Sequence, residues 1–219
     1  MVLTEKERQQ INTIVAGFEA DTGIQAVAAV TSRADAYPEI PWKAYAMGST
    51  FGAAVAALNP LVISGWTHAS IIAFDALLIL AGGAMLSLLA AFVPAIGRLF
   101  LDKVRAQSEA QQYAKALFLE RELFRTRSRS AVLVVICRFE RVAILLRDTG
   151  LAQYAPAAAL HDISAEAKAL LSAGGADLVP VYEHVFGRLK ALLTRSGFTA
   201  APPGHNEIAN DVLAERGAG

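Results

Sequence analysis

The sequence predicts an α/β domain split by an inserted transmembrane helical hairpin, and three observations predict it. The charge pattern has a gap: from Ala44 to Gly97 the chain carries one formal charge, Asp75, in a protein that is 18% charged overall. Apolar residues make up 54% of the chain and its mean hydropathy is +0.40, above the ordinary soluble range. On either side of the gap, short apolar runs alternate with amphipathic stretches, and the first flank is too small to bury a core alone. Together the flanks supply helix, strand, helix, strand, strand, helix and helix, a set that closes one small α/β core with the hairpin inserted into a crossover helix. The organisation is therefore 1–43 as the first part of the domain, 44–98 as the hairpin, 99–198 as the second part and 199–219 as a tail.

Residues 3–20 form the first helix, with Thr4 as N-cap, Glu7 completing a capping box, and Ile11, Ile14, Val15 and Phe18 at helical spacing. Asp21-Thr22-Gly23 stops it. Ile24–Thr31 is a short apolar run between turn residues and reads as a buried strand. Pro38 and Pro41 then interrupt regularity ahead of the membrane. After the gap, Asp102–Arg125 reads as one helix with Tyr113, Leu117 and Phe124 on its apolar face. Ala131–Cys137 and Arg141–Arg147 form a strand hairpin linked by Arg138-Phe139-Glu140. A helix over Asp162–Ala173, with Asp162 capping it or in its first turn, precedes the loop Gly174-Gly175-Ala176-Asp177. A last helix, Val179–Thr194, places Val181, Val185, Leu189 and Leu192 on one face.

Ser70–Gly97 holds more than the roughly 20 apolar residues that cross about 30 Å of hydrocarbon and reads as a transmembrane helix. Ala46–Ser64 is diluted by Ser49, Thr50, Asn59 and Pro60 and forms the other arm. The link Gly65-Trp66-Thr67-His68 lacks Lys and Arg, whereas Arg33 and Lys43 precede the pair and Arg98, Lys103 and Arg105 follow it. Positive flanks stay cytoplasmic, so both termini face the cytoplasm in a two-pass topology, with Trp66 at the opposite interface. The first twenty residues lack the basic-then-apolar pattern of a signal peptide. Gly48 and Gly52 on the first arm and Gly82 and Gly83 on the second read first as packing between the arms, and otherwise as a self-association seam. Asp75 reads as a protonated or water-reached carboxyl, a proton or cation relay, or a hydrogen-bond partner of Asn59.

Zero net charge and a pI near 6.9 exclude a nucleic-acid binder driven by global charge, and no nucleic acid is expected. The lone Cys137 cannot form an internal disulfide and reads as a buried, inert thiol. His184 reads as a helix-surface residue and His205 lies in the tail. The segment LTEKERQQINTIVAGFEADTGIQAVAAVTSRADAYPEIPWKA, then FRTRSRSAVLVVICRFERVAILLRDTGL with its Asp148-Thr149-Gly150-Leu151 turn, resembles the TPM-domain family over residues 3–43 and 105–195. The resemblance implies a small TPM-like α/β sandwich, here split by the inserted transmembrane helical hairpin, where many relatives have a signal peptide and a terminal anchor. It implies three kinds of role: acid phosphatase activity, divalent-cation binding, or upkeep of membrane complexes.

The residues themselves supply no P-loop, no Gly-x-Ser-x-Gly and no His/Asp cluster at metal-ligand spacing. Carboxylates do stand at strand ends, where open α/β sheets bind ligands: Asp35 after the first strand, Glu140 in the hairpin, Asp148 after the third. Glu140 and Asp148 fall at opposite ends of the hairpin, and Asp35 can join one of them. Asp35 and Asp148 are the candidate ligands for Ca²⁺ or Mg²⁺, against a reading of all three as solvated turn residues and caps. Arg121, Arg125, Arg127, Arg129, Arg138, Arg141 and Arg147 outnumber Glu122 and Glu140 in one segment, and Arg125, Arg127 and Arg129 are candidates for anionic headgroups. The expectation is a module of the bacterial inner membrane that binds or scaffolds membrane proteins, or itself, on a lipid bilayer. The alternative is an acid phosphatase or divalent-cation-dependent hydrolase.

Overall fold

A computed structural model of the chain describes residues 3–62, 68–126, 128–173, 177–198 and 212–215. In chain order its elements are α1 (Glu5–Thr22), β1 (Gln25–Thr31), α2 (Glu39–Val62), α3 (His68–Phe92), the short α4 (Pro94–Gly97), α5 (Lys103–Glu120), β2 (Ala131–Cys137), β3 (Val142–Arg147), α6 (Ala157–Ala173), α7 (Val179–Arg195) and β4 (Leu213–Glu215). Contacts gather residues 1–35 and 104–219 into one unit and 36–103 into another.

In the first unit, α1 starts at a capping box. The Glu7 N–H donates to Thr4 Oγ1 at 3.3 Å, and the Thr4 N–H donates to Glu7 Oε2 at 2.7 Å. The Thr4 N–H bond, and then a 2.7 Å bond from the Thr4 hydroxyl to the same oxygen, hold the Glu7 carboxyl below its ordinary range. The helix ends on Gly23, whose φ of 68° lies in the left-handed region where a side chain is strained.

The chain then enters a four-stranded sheet ordered β3-β2-β1-β4. β1 runs parallel to both β2 and β4, and β2 pairs antiparallel with β3. Strand side chains alternate between two cores. Ala26, Ala28, Val30, Val132, Val134 and Ile136 point to the face covered by α1, α6 and α7, with Phe18, Ile163, Tyr182 and Leu189. Val27, Ala29, Leu133, Val135 and Cys137 point to the face covered by α5, through Ala110, Ala114 and Leu117. Burial on both faces explains why the strands read as continuous apolar runs without alternation.

Several boundaries depart from the sequence reading for local reasons. β3 begins at Val142, because Arg141 has a φ of 54° and belongs to the turn. α5 ends at Glu120, and Glu122, at φ 50°, turns the chain before Arg125. α6 begins at Ala157, one turn before the expected start. Pro156 stands just before it with its carbonyl accepting from the Leu160 N–H at 3.2 Å, so Asp162 lies inside the helix and does not cap it. The Gly174-Gly175-Ala176 loop and most of the tail, His205 included, lie outside the described residues.

In the second unit α2 starts at Glu39, earlier than expected, since Pro41 falls in the first turn, where its missing N–H is no loss. α3 stops at Phe92. Val93 is extended (φ −107°) and Pro94 restarts the chain as α4, so the expected single helix to Gly97 is broken. α2 and α3 pack along each other through glycines. A Cβ on Gly52 would fall 2.8 Å from the Leu78 carbonyl oxygen, one on Gly82 2.9 Å from the Gly48 carbonyl oxygen, and one on Gly48 against the Gly82 carbonyl. At Gly83 the space a Cβ would take is filled instead by the side chains of Ser49 and Tyr45, while the other three glycines meet backbone. Only backbones without side chains approach this closely.

Candidate functional site

Because β1 and β2 are parallel, their carboxyl ends share one end of the sheet. There the Ala34 N–H donates to Glu140 Oε1 at 2.9 Å, and the Glu140 side chain is buried. Arg105 Nη2 lies 3.0 Å from Asp35 Oδ2, and its Nε lies 3.6 Å from Glu109. The Arg33 guanidinium sits 4.1 Å from the centre of the Phe139 ring. Asp35 and Glu140 are thus near neighbours in the fold, each held by a donor of its own chain. Their geometry is that of a loop clamp tying the β1 exit to the β2–β3 turn.

Asp148 stands at the other end. The β1–β2 register sets Gln25 beside Ala131, and the Asp148 N–H donates to the Ala131 carbonyl at 2.9 Å. The length of β1 between the two ends is about 20 Å at roughly 3.3 Å per residue. Asp35 and Asp148 therefore do not form a shared Ca²⁺ or Mg²⁺ site, which corrects that expectation. Among the described residues no group of three His, Cys, Asp or Glu is placed to hold a metal ion. Asp148 is buried and caps the 3₁₀ turn Thr149–Leu151, its Oδ1 accepting from the Thr149 N–H at 2.6 Å. Gly150 completes the turn, since a Cβ there would lie 2.5 Å from the Ser128 carbonyl oxygen.

On the hairpin, Asn59 Nδ2 donates to Asp75 Oδ1, joining α2 to α3. Of the arginine band, Arg125 pairs with Glu122 at 2.5 Å, and Arg129 occupies a left-handed turn at φ 51°. Arg127, like Trp66, lies outside the described residues. Cys137 is fully buried, and burial, with the Glu140 charge adding to it, pushes its thiol pKa up. No nucleophile is poised there.

Sequence reading missed two clusters because both depend on helix placement. Glu166 of α6 accepts from Arg188 of α7 through two bonds, at 2.8 and 2.9 Å, and lies 2.8 Å from His184 Nε2. The Arg188 bonds, then the His184 bond, hold its carboxyl below the ordinary range. The i, i+4 pair His184–Arg188 was a signal for a shared partner. The second cluster is a pair of hollows beside β3, between α5 and α6, with Lys115, Leu146 and Arg147 lining both.

No protein-family model matches the chain, and no curated protein matches it. Among solved structures it is similar to the NMR structure of BA42 protein from the psychrophilic bacterium Bizionia argentinensis. The TM-score is 0.54 at 9% identity, over 97% of this chain and 94% of that one. At such identity the likeness shows the fold alone.

Proposed function

We propose that the protein is a membrane-anchored, TPM-like module of the bacterial inner membrane, and that its α/β unit binds or scaffolds membrane proteins. One observation carries the anchoring. α3 is long and apolar enough to cross a membrane, and only 6% of its most apolar stretch is buried. Ile72, Leu77, Leu80, Met85, Leu88 and Phe92 are exposed, a surface that water penalises and lipid does not. Among the described residues α3 alone passes this test. α2 is assigned to the bilayer because its glycines lie against α3 and because Asn59 satisfies Asp75, whose isolated carboxyl is costly in hydrocarbon. A hairpin returns the chain to the side it left, and the Arg and Lys flanks favour the cytoplasm.

The scaffold reading is preferred over a cation-dependent phosphatase because Asp35 and Asp148 lie at opposite ends of the sheet, Asp35 beside Arg105 and Asp148 capping its own turn. Alkaline carbonate extraction tests the anchor: the protein stays in the pellet if α3 spans and is released if it does not. Cross-linking in membranes tests the role. Recovery of a membrane-protein partner, with no hydrolysis of p-nitrophenyl phosphate by the purified chain, supports the module. Hydrolysis lost on Asp35→Asn or Asp148→Asn replaces this reading with the phosphatase.

A further inference from the structure

In the unit formed by residues 36–103 the exposed apolar surface does not end with α3. Trp42, in the first turn of α2, is 73% exposed, and Leu99, in the 3₁₀ turn Arg98–Phe100 that follows α4, is 78% exposed. Phe92, the last residue of α3, is exposed as well. Single exposed apolar residues are ordinary on a protein surface. These three, however, gather at one end of the α2–α3 pair.

The glycine contacts set the levels. Gly48 lies against Gly82 and Gly52 against Leu78 and Ile79, so the two helices run antiparallel. Stepping equally from Gly48 and Gly82 toward that end brings Lys43 level with Ser87 and Trp42 level with Leu88. A helix running straight on from Ser87 would carry Phe100 about 20 Å past Lys43, at roughly 1.5 Å per residue. Instead, Lys43 Nζ donates to the Phe100 carbonyl at 3.4 Å. A lysine stem reaches about 6 Å, which keeps Phe100 within about 10 Å of Lys43. The break at Val93 and Pro94 makes this possible, and both α4 and the Arg98–Phe100 turn touch α2. Pro94–Phe100 is therefore a crosspiece over the end of the helix pair. Trp42 stands at the same end with its ring edge-on to Tyr45, 6.4 Å between centroids.

We propose that Trp42, Phe92 and the crosspiece Pro94–Phe100 form a shelf that lies in the headgroup layer of a lipid bilayer, with Trp42 and Leu99 at the acyl boundary. Two lengths select lipid as the occupant. From Trp42 to Val62, where α2 ends, the helix rises about 30 Å, the thickness of the hydrocarbon core. From the level of Leu88 to Phe92 the rise is about 6 Å, and the headgroup layer is roughly 5–8 Å thick on each side. Tryptophan suits that layer because its ring meets acyl chains while its N–H stays wet. Lys103, exposed just past the crosspiece, puts an ammonium group where lipid phosphates lie. The shelf is also continuous with the exposed apolar face of α3. The proposal rests on the anchoring reading above and adds the depth at which the hairpin sits and the segment that lies flat on the bilayer.

The test uses the full chain reconstituted in phosphatidylcholine vesicles. Trp66→Phe leaves Trp42 as the sole tryptophan. Lipid spin-labelled at the headgroup is expected to quench Trp42 at least threefold more than lipid labelled at the acyl chain end. In a Cys137→Ala background, a nitrobenzoxadiazole label on Leu99→Cys, at an exposed position, is expected to be quenched by the same headgroup-labelled lipid. Aqueous iodide should quench it at least threefold less than the same label on Lys6→Cys, on the exposed side of α1. Trp42 quenched as strongly from the chain end lies in hydrocarbon, and iodide reaching Leu99→Cys as freely as Lys6→Cys leaves the crosspiece in water. Shielding from iodide without quenching by labelled lipid means that protein, a second copy included, covers the shelf. Each of these three results overturns the proposal while the chain stays in the carbonate-washed pellet. Release by carbonate overturns the anchor itself and takes the shelf with it.

Discussion

Tyr182 of α7 is fully buried and its hydroxyl donates to the Ala29 carbonyl of β1 at 2.7 Å, linking the helical layer to the sheet. Tyr182→Phe removes that bond and keeps the ring against Phe186, 6.2 Å away between centroids. A net hydrogen bond contributes about 0.5–1.5 kcal/mol, so the variant is expected to be about 1 kcal/mol less stable at pH 7. The difference then depends on pH. Burial, with a smaller contribution from Cys137, raises the Tyr182 pKa well above its ordinary value. The folded state therefore keeps a proton that the unfolded chain releases near pH 10, and wild-type stability falls as pH rises from there toward the folded pKa. At pH 11 this loss is RT ln(1 + 10), about 1.4 kcal/mol. The phenylalanine variant lacks that loss, and every other titrating group is common to both proteins. The gap of about 1 kcal/mol at pH 7 should thus close and reverse slightly by pH 11. Urea unfolding followed by far-UV circular dichroism in a mild detergent, at pH 7, 9 and 11, measures it. A gap that stays constant with pH, or no gap at pH 7, refutes the burial and bonding assigned to Tyr182.

Gly48→Val places side-chain atoms into the Gly82 carbonyl and is expected to weaken the α2–α3 pairing by about 1–3 kcal/mol. Loss of helicity on titration with a denaturing detergent measures this, and unchanged unfolding would contradict the backbone contact. Gly17→Ala acts in the opposite direction, because a Cβ there meets nothing within 4 Å in the interior of α1. It should raise stability by about 0.5–1 kcal/mol, readable as a higher urea midpoint. Cys137, buried with a raised pKa, should resist iodoacetamide at pH 8 in the folded protein and react in urea. Labelling of the native protein at the unfolded rate would place the β2 end at the surface.

Much of this protein is local in origin, and that part was legible without coordinates. The Thr4–Glu7 capping box, the Gly23 stop and the apolar runs of β1 and β2 each depend on a few adjacent residues, whose side chains decide whether the backbone can bond to itself or must pair elsewhere. The apolar stretch of α3 is equally local, since hydropathy sums along the chain. Where boundaries slipped, at Arg141 and Pro156, a single backbone angle or a proline set the limit more sharply than hydrophobic periodicity could. The order β3-β2-β1-β4 has no such local signal, because parallel pairing across the inserted segment is decided by which faces can be buried together. That order alone puts Asp35 beside Glu140 and sends Asp148 to the far end. It also leaves β3 at an edge, with α5 and α6 as the walls of a cationic groove. The sequence by itself determined which residues can form helices, strands and an apolar span. The tertiary structure decided which carboxylates meet, because residues distant in the chain become neighbours only through long-range strand pairing and helix packing.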